Sequence, residues 1–163
     1  MTKPITICTL LLFFFINSPL TYGQELELKY EFLCDLTATL DKPIEVGQTP
    51  YGERVIYPVN GGLFEGPKIK GKVLANGGDW LLRLDETTSK LDVRAVLETQ
   101  DGELIYMYYE GFIHKNPDGS YYFRTNPVFQ TSTKKYKWLN HTIAVGVGKI
   151  LDNGVSYKIY AIK

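Results

Sequence analysis

Cysteine and histidine are nearly absent, with two of each in 163 residues. Neither His114 nor His141 has a potential metal-ligating partner close to it in sequence. Zinc sites draw on several His or Cys ligands, so no metal site is predicted, and no cofactor is expected. The chain also lacks a phosphate-binding glycine loop ending in Lys-Ser/Thr, a Gly-x-Ser-x-Gly nucleophile elbow and a His-Glu-x-x-His helix. Net charge is missing as well: 18 basic side chains stand against 18 acidic ones. That balance removes the electrostatic ground for a nucleic acid or an anionic membrane surface as partner. No window keeps apolar residues at i, i+3, i+4 and i+7 over several turns without a glycine or proline. Little helix is therefore expected, at most a short turn near Lys134 to Leu139.

What is present begins with a leader. Lys3 is the only charge in the first two dozen residues, and the apolar run Ile5 to Ile16 follows it. A charged start before about 7–15 apolar residues is the build of a secretory signal peptide, and the run falls short of the ~20 residues a membrane span needs. Asn17, Ser18 and Pro19 break the run, and the small residues Thr21 and Gly23 place cleavage before Gln24. The expectation is a signal peptide over 1–23 and one domain over 24–163, secreted or periplasmic, with no stable membrane insertion. No cysteine follows the apolar run closely enough to carry a lipid anchor. Cys8 leaves with the leader, so no internal disulfide can form. The remaining Cys34, inside Phe32-Leu33-Cys34, reads as a small buried hydrophobe.

Aromatic residues are plentiful, twelve of them tyrosines, and glycines punctuate the chain. Strands joined by tight turns fit that combination. Asn76-Gly77-Gly78, Asp101-Gly102, Asp118-Gly119 and Asn153-Gly154 are hairpin signals. Strand-length runs lie between and before them: Leu26 to Thr39, Arg54 to Val59, Gly62 to Leu74, Trp80 to Leu84, Leu91 to Thr99, Glu103 to Phe112, Ser120 to Thr125, Thr142 to Lys149 and Val155 to Ile162. Asp41 to Pro50 reads as one long loop. The fold class is all-β, a single antiparallel β-barrel in a lipocalin-like meander, because closure removes sheet edges.

Candidate chemistry lies in polar alternation. Period two puts Leu91, Val93, Ala95 and Leu97 on one face, and Asp92, Arg94, Val96 and Glu98 on the other. The charged face is either a solvated wall with weak cross-strand ion pairs or the lining of a lumen. In the second case Arg94 would bind a carboxylate or enolate and Glu98 would act as a base. The same parity groups Tyr136, Trp138, Asn140 and Thr142, which suits a pocket wall or a packed core. Tyr122 and Arg124 share a further face, and Asp79 with Trp80 follows the Gly77-Gly78 turn.

Thr49-Pro50-Tyr51-Gly52-Glu53-Arg54, Gly61-Gly62-Leu63-Phe64-Glu65-Gly66-Pro67, Gly77-Gly78-Asp79-Trp80, Leu91-Asp92-Val93-Arg94, Leu97-Glu98-Thr99-Gln100-Asp101-Gly102, Tyr122-Phe123-Arg124 and Tyr136-Lys137-Trp138-Leu139-Asn140 follow one another in order. Together they resemble the successive motifs of the domain of unknown function 3237 family, also catalogued as uncharacterised protein family 0311. The resemblance implies an all-β barrel. It also implies that Arg54, Glu65, Asp79, Trp80, Arg94, Glu98, Arg124, Tyr136, Trp138 and Asn140 occupy the family's characteristic polar and aromatic positions. Three functions follow as expectations. The first is a small organic ligand bound in the lumen, with Arg94 and Arg124 as anion partners, Trp80, Tyr136 and Trp138 as walls, and Asn140, Arg54 and Glu65 as further contacts. The second is a cofactor-independent isomerase, lyase or cyclase using Glu98 or Asp79 as base. The third is a structural or interaction module with a filled barrel; a homo-oligomer is compatible with each.

Overall fold

The computed structural model describes residues 27–163; the leader assigned to residues 1–23 lies outside the described residues. Runs that alternate apolar and polar side chains form the strands, because one face of each can then be buried while the other meets water. In chain order these are β1 Tyr30–Leu40, β2 Ile44–Thr49, β3 Gly52–Glu65, β4 Lys70–Val73, β5 Gly77–Arg83, β6 Thr88–Thr99, β7 Leu104–Lys115, β8 Tyr121–Thr125, β9 Val128–Gln130, β10 Ala144–Leu151 and β11 Gly154–Ile162. All pairings are antiparallel, and β11 returns to pair β1, so eight strand positions close into a ring. The fold is the all-β, up-and-down barrel expected from the turn spacing.

Two of the ring's positions are shared. β4 and β5 both lie between β3 and β6, running in one direction with Leu74–Asn76 between them. Asn76-Gly77-Gly78 is therefore an interruption in one long strand and not the hairpin it resembles. β1 and β2 likewise both pair β3. Asp41–Pro50 is thus mostly strand, contrary to the expected loop. β2 is exposed with only β3 beside it, so neither the flanking Pro43 and Pro50 nor Gly47 disturbs a central ladder. β3 runs unbroken through Gly61 and Gly62, whose φ values are +131° and +153°. A Cβ on Gly62 would stand 2.0 Å from the Thr37 carbonyl oxygen, so only glycine lets β1 approach this closely.

One end of the barrel is packed solid. Leu33, Cys34, Phe64, Ile69, Leu97, Ile105, Phe129 and Leu139 are all essentially inaccessible there. A single 3₁₀ turn, Lys137–His141, closes that end with Leu139 pointing inward. Burial of each such side chain contributes about 1.5–3 kcal/mol before conformational entropy is counted. Cys34 is the buried hydrophobe it resembles, and burial pushes its thiol up to about 12. The other end, ringed by the Leu84–Thr87, Asn116–Ser120 and Asp152–Asn153 turns, is open.

Candidate functional site

The open half encloses a cavity of about 560 Å³. Each wall presents the inward parity of its strand: Leu36 and Ala38 from β1, Tyr57 and Val59 from β3, Asp79 and Leu81 from β5, Leu91, Val93 and Ala95 from β6, Met107 and Tyr109 from β7, and Val155 and Tyr157 from β11. These inward walls are apolar except where Asp79 and the tyrosines interrupt them, whereas charged and polar side chains, among them Asp41, Arg83, Asp85, Glu86, Lys115 and Asp152, stand towards the mouth.

Asp79 is 7% exposed. Its Oδ1 accepts a hydrogen bond from the Asp92 backbone N–H at 3.0 Å, and among the described residues no side chain or backbone donor is found for Oδ2. Burial raises its pKa to about 7; the Asp92 N–H bond opposes that shift, the Asp92 charge adds to it and Arg54 opposes it. Across the lumen the Tyr109 hydroxyl donates to the Tyr157 hydroxyl at 2.9 Å, and the two rings meet edge to face. Both phenols are pushed up, chiefly by burial, and the Asp79 charge opposes the ionisation of each. A carboxyl group that titrates near neutrality and two neutral phenols thus face an apolar chamber. The arrangement can donate, accept or relay a proton to a bound molecule.

Of the ten residues singled out from the sequence, Asp79 alone lines this cavity. The charged face of β6 is the outer wall. Arg94 pairs with Asp92 at 2.9 Å and lies 5.3 Å from the centre of the Trp80 ring, and Glu98 pairs with Lys72 at 3.1 Å. The lumen-lining reading of Arg94 and Glu98 is corrected accordingly: Leu91, Val93, Ala95 and Leu97 take the inside, because burying these apolar side chains is favourable whereas burying Arg94 and Glu98 would strip charged groups of water. Trp80 points outward with Arg94, and Arg54 donates to the Trp80 carbonyl oxygen. Arg124 sits 5.0 Å from the centre of the Tyr122 ring and donates to the Phe123 carbonyl oxygen at 2.9 Å; Glu65 is exposed on β3.

Tyr136, Trp138 and Asn140 do not share a strand face, since Lys137–His141 is a 3₁₀ turn and repeats about every three residues. Tyr136 is buried beside Leu139 and donates to Asp101 Oδ1 at 2.8 Å. Trp138 is partly buried under Lys68. Asn140 ties its amide to Thr131, accepting from the backbone N–H at 2.8 Å and donating to the carbonyl at 2.9 Å. These three residues seal the closed end.

Tyr109 and Tyr157 were missed, although parity carries a signal for both. Tyr157 alternates in phase with Val155, Ile159 and Ala161 against Lys158, and Tyr109 with Ile105 and Met107 against Glu110. Their contact spans two intervening strands, β8 and β10, which no local pattern reveals.

Residues 28–162 match the family described as Protein of unknown function (DUF3237). An uncharacterised UPF0311 protein of Clostridium acetobutylicum is 34% identical over 151 residues, covering 83% of this chain and 95% of that protein. A β-barrel-like protein from Acinetobacter baumannii superposes with a TM-score of 0.83 at 34% identity, covering 87% of this chain and 99% of its own. A conserved protein of unknown function from Rhodopseudomonas palustris does so with a TM-score of 0.80 at 25% identity, covering 84% and 99%.

Proposed function

The chain belongs to the DUF3237 family, and we propose that it uses the open half of its barrel to bind one small organic molecule. The observation that carries this reading is a cavity of about 560 Å³ with apolar walls and one buried carboxyl group. Small-molecule sites combine these features, spanning about 300–1,000 Å³ with a few placed polar groups. Eight-stranded barrels are wide enough for one such ligand. The chamber weighs against a filled, purely structural barrel. The outer face of β6, with Lys90, Asp92, Arg94 and Glu98, does not suit lipid. Our reading of residues 1–23 as a secretory leader implies that binding occurs outside the cytoplasm, and N-terminal sequencing of the exported protein tests this by reading Gln24 as the first residue.

The direct test pairs native mass spectrometry with a cavity-filling variant. A ligand that co-purifies, or that is taken up from a metabolite extract, appears as a mass increment lost on denaturation. Val93→Phe, which fills the lumen, abolishes that increment while the barrel stays folded. A wild-type protein that takes up nothing, or a variant that binds equally well, overturns the reading.

One observation supports a second reading, a cofactor-independent enzyme. Asp79, with a pKa of about 7, suits a general acid or base, whose pKa is best matched to the working pH. The tyrosine pair that faces the same chamber would stabilise developing negative charge. On this reading Asp79→Asn retains the ligand and loses turnover. Glu98 takes no part, being paired on the outer wall.

A further inference from the structure

The charges around the chamber are lopsided. Asp79 lies within it, and Asp41, Asp85, Glu86 and Asp152 stand on its lining towards the mouth, against only Arg83 and Lys115. Arg83 is already committed. Its guanidinium Nη1 lies 3.1 Å from Glu53 and 3.9 Å from Glu45, and Nη2 donates to the Tyr57 hydroxyl at 3.4 Å. The bond to Glu53, and to a lesser extent the tyrosine, favour its charged form. Lys115 is thus the only lining cation without an ion-pair partner among the described residues, and it sits at the end of β7 on the rim. Inside, Asp79 is 7% exposed and lines the cavity, and its Oδ2 has no donor among the described residues.

Resting on the lumen-binding reading, we propose that the chamber selects a ligand bearing an ammonium group over one bearing a carboxylate. The apolar, aromatic-sized body would lie against Leu91, Val93 and Met107, and an N–H would donate to Asp79 Oδ2. A charged partner in a low-dielectric site compensates the desolvation that otherwise opposes a buried carboxylate. An ammonium ligand favours the ionised form of Asp79, whereas a carboxylate would meet that form as a like charge and bind only while Asp79 stays protonated. Among the described residues no unpaired lining cation but Lys115 on the rim could offset it. The rim carboxylates add a funnel of the same sign and draw cations to the mouth. Arg94 and Arg124, which from sequence suggested an anionic ligand, stand on the outer wall and exert no such pull.

Three probes on one naphthalene frame test this: the aminomethyl, hydroxymethyl and carboxylate forms, titrated calorimetrically at neutral pH against the described domain with its leader removed. The amine is expected to bind at least about tenfold tighter than the carboxylate, a difference of about 1.4 kcal/mol. Asp79→Asn, whose amide oxygen still accepts from the Asp92 N–H, should lower the amine's affinity about tenfold and the alcohol's far less. Wild-type ranking decides the matter even where the variant is poorly behaved. If the alcohol binds while the carboxylate equals or beats the amine, the ammonium proposal falls and the lumen-binding reading stands. If the amine's advantage survives in Asp79→Asn, the assignment to Asp79 is overturned. If none of the three binds, the lumen-binding reading falls with it.

Discussion

Asp79 carries a cost. Its carboxyl titrates near 3.8 when exposed and at about 7 in the folded protein. A raised folded pKa means that the contribution to stability is whole below the unfolded value and is lost as pH rises through the folded one. Asp79→Asn should therefore match wild type near pH 4, gain on it as the pH climbs to about 7, and hold a constant lead above that. Three pK units set the scale of the lead at about 4 kcal/mol. Urea unfolding of both proteins across that range measures it, and a lead that does not grow with pH would contradict the burial argument. A residue that destabilises the fold where the ligand sits is expected of a functional position. By contrast, the outer-wall ion pairs Arg94–Asp92 and Lys72–Glu98 are solvent-screened, and such pairs are worth at most about 1 kcal/mol. Arg94→Ala and Glu98→Ala should leave ligand affinity within about twofold, as titration with whichever ligand mass spectrometry identifies will show. Cys34 should resist alkylation in the native state and react once unfolded, because burial keeps its thiol neutral.

At the scale of elements, the barrel depends on β3, whose two flanks are each shared by two segments. β3 is long enough to pair β1 and β2 on one side and β4 and β5 on the other. Its passage past β1 requires Gly62. Gly62→Ala places a methyl group against the Thr37 carbonyl oxygen at a backbone conformation that alanine avoids, and should cost about 2 kcal/mol or more, read as a lower midpoint in thermal or urea unfolding. The β5–β6 turn is held differently. Asp85 Oδ1 accepts from the backbone N–H groups of Thr87 and Thr88 at 2.8 and 2.9 Å, and this pins the turn at the mouth. This hairpin had no Asn-Gly or Asp-Gly signal, since its carboxylate satisfies the turn's donors where a glycine would otherwise relax the backbone.

Across the whole molecule, closure joins the first described strand to the last: β1 pairs β11 from Tyr30 with Ile162 to Thr39 with Gly154. Removing residues 154–163 would open the ring and leave the edges of β1 and β10 unpaired, while one wall of the cavity, Val155 and Tyr157, would be lost. The truncated chain should aggregate, because long unpaired edges template association. Light scattering after expression checks this, and a monodisperse truncated protein would show that closure is not what keeps the barrel soluble.

Much of this architecture was legible in the chain. Alternation in Leu91–Glu98 and Val155–Ile162, with Asp101-Gly102 and Asp118-Gly119 as turns, specified an antiparallel meander, because period two and positive-φ turn residues are local properties. The environment of Cys34 was legible for the same reason, since its neighbours Leu33 and Leu36 share its burial. What only tertiary structure decided was the site. Alternation divides a strand into two faces without stating which one a closed ring will enclose, so Arg94 and Glu98 fit a lumen as well as a wall until closure put them outside. Tyr136 to Asn140 could be read at a period of two, but capping the closed end required a 3₁₀ turn. Asp79 acquired its raised pKa, and Tyr109 met Tyr157, only when strands distant in sequence closed into a barrel and buried all three side chains in its interior.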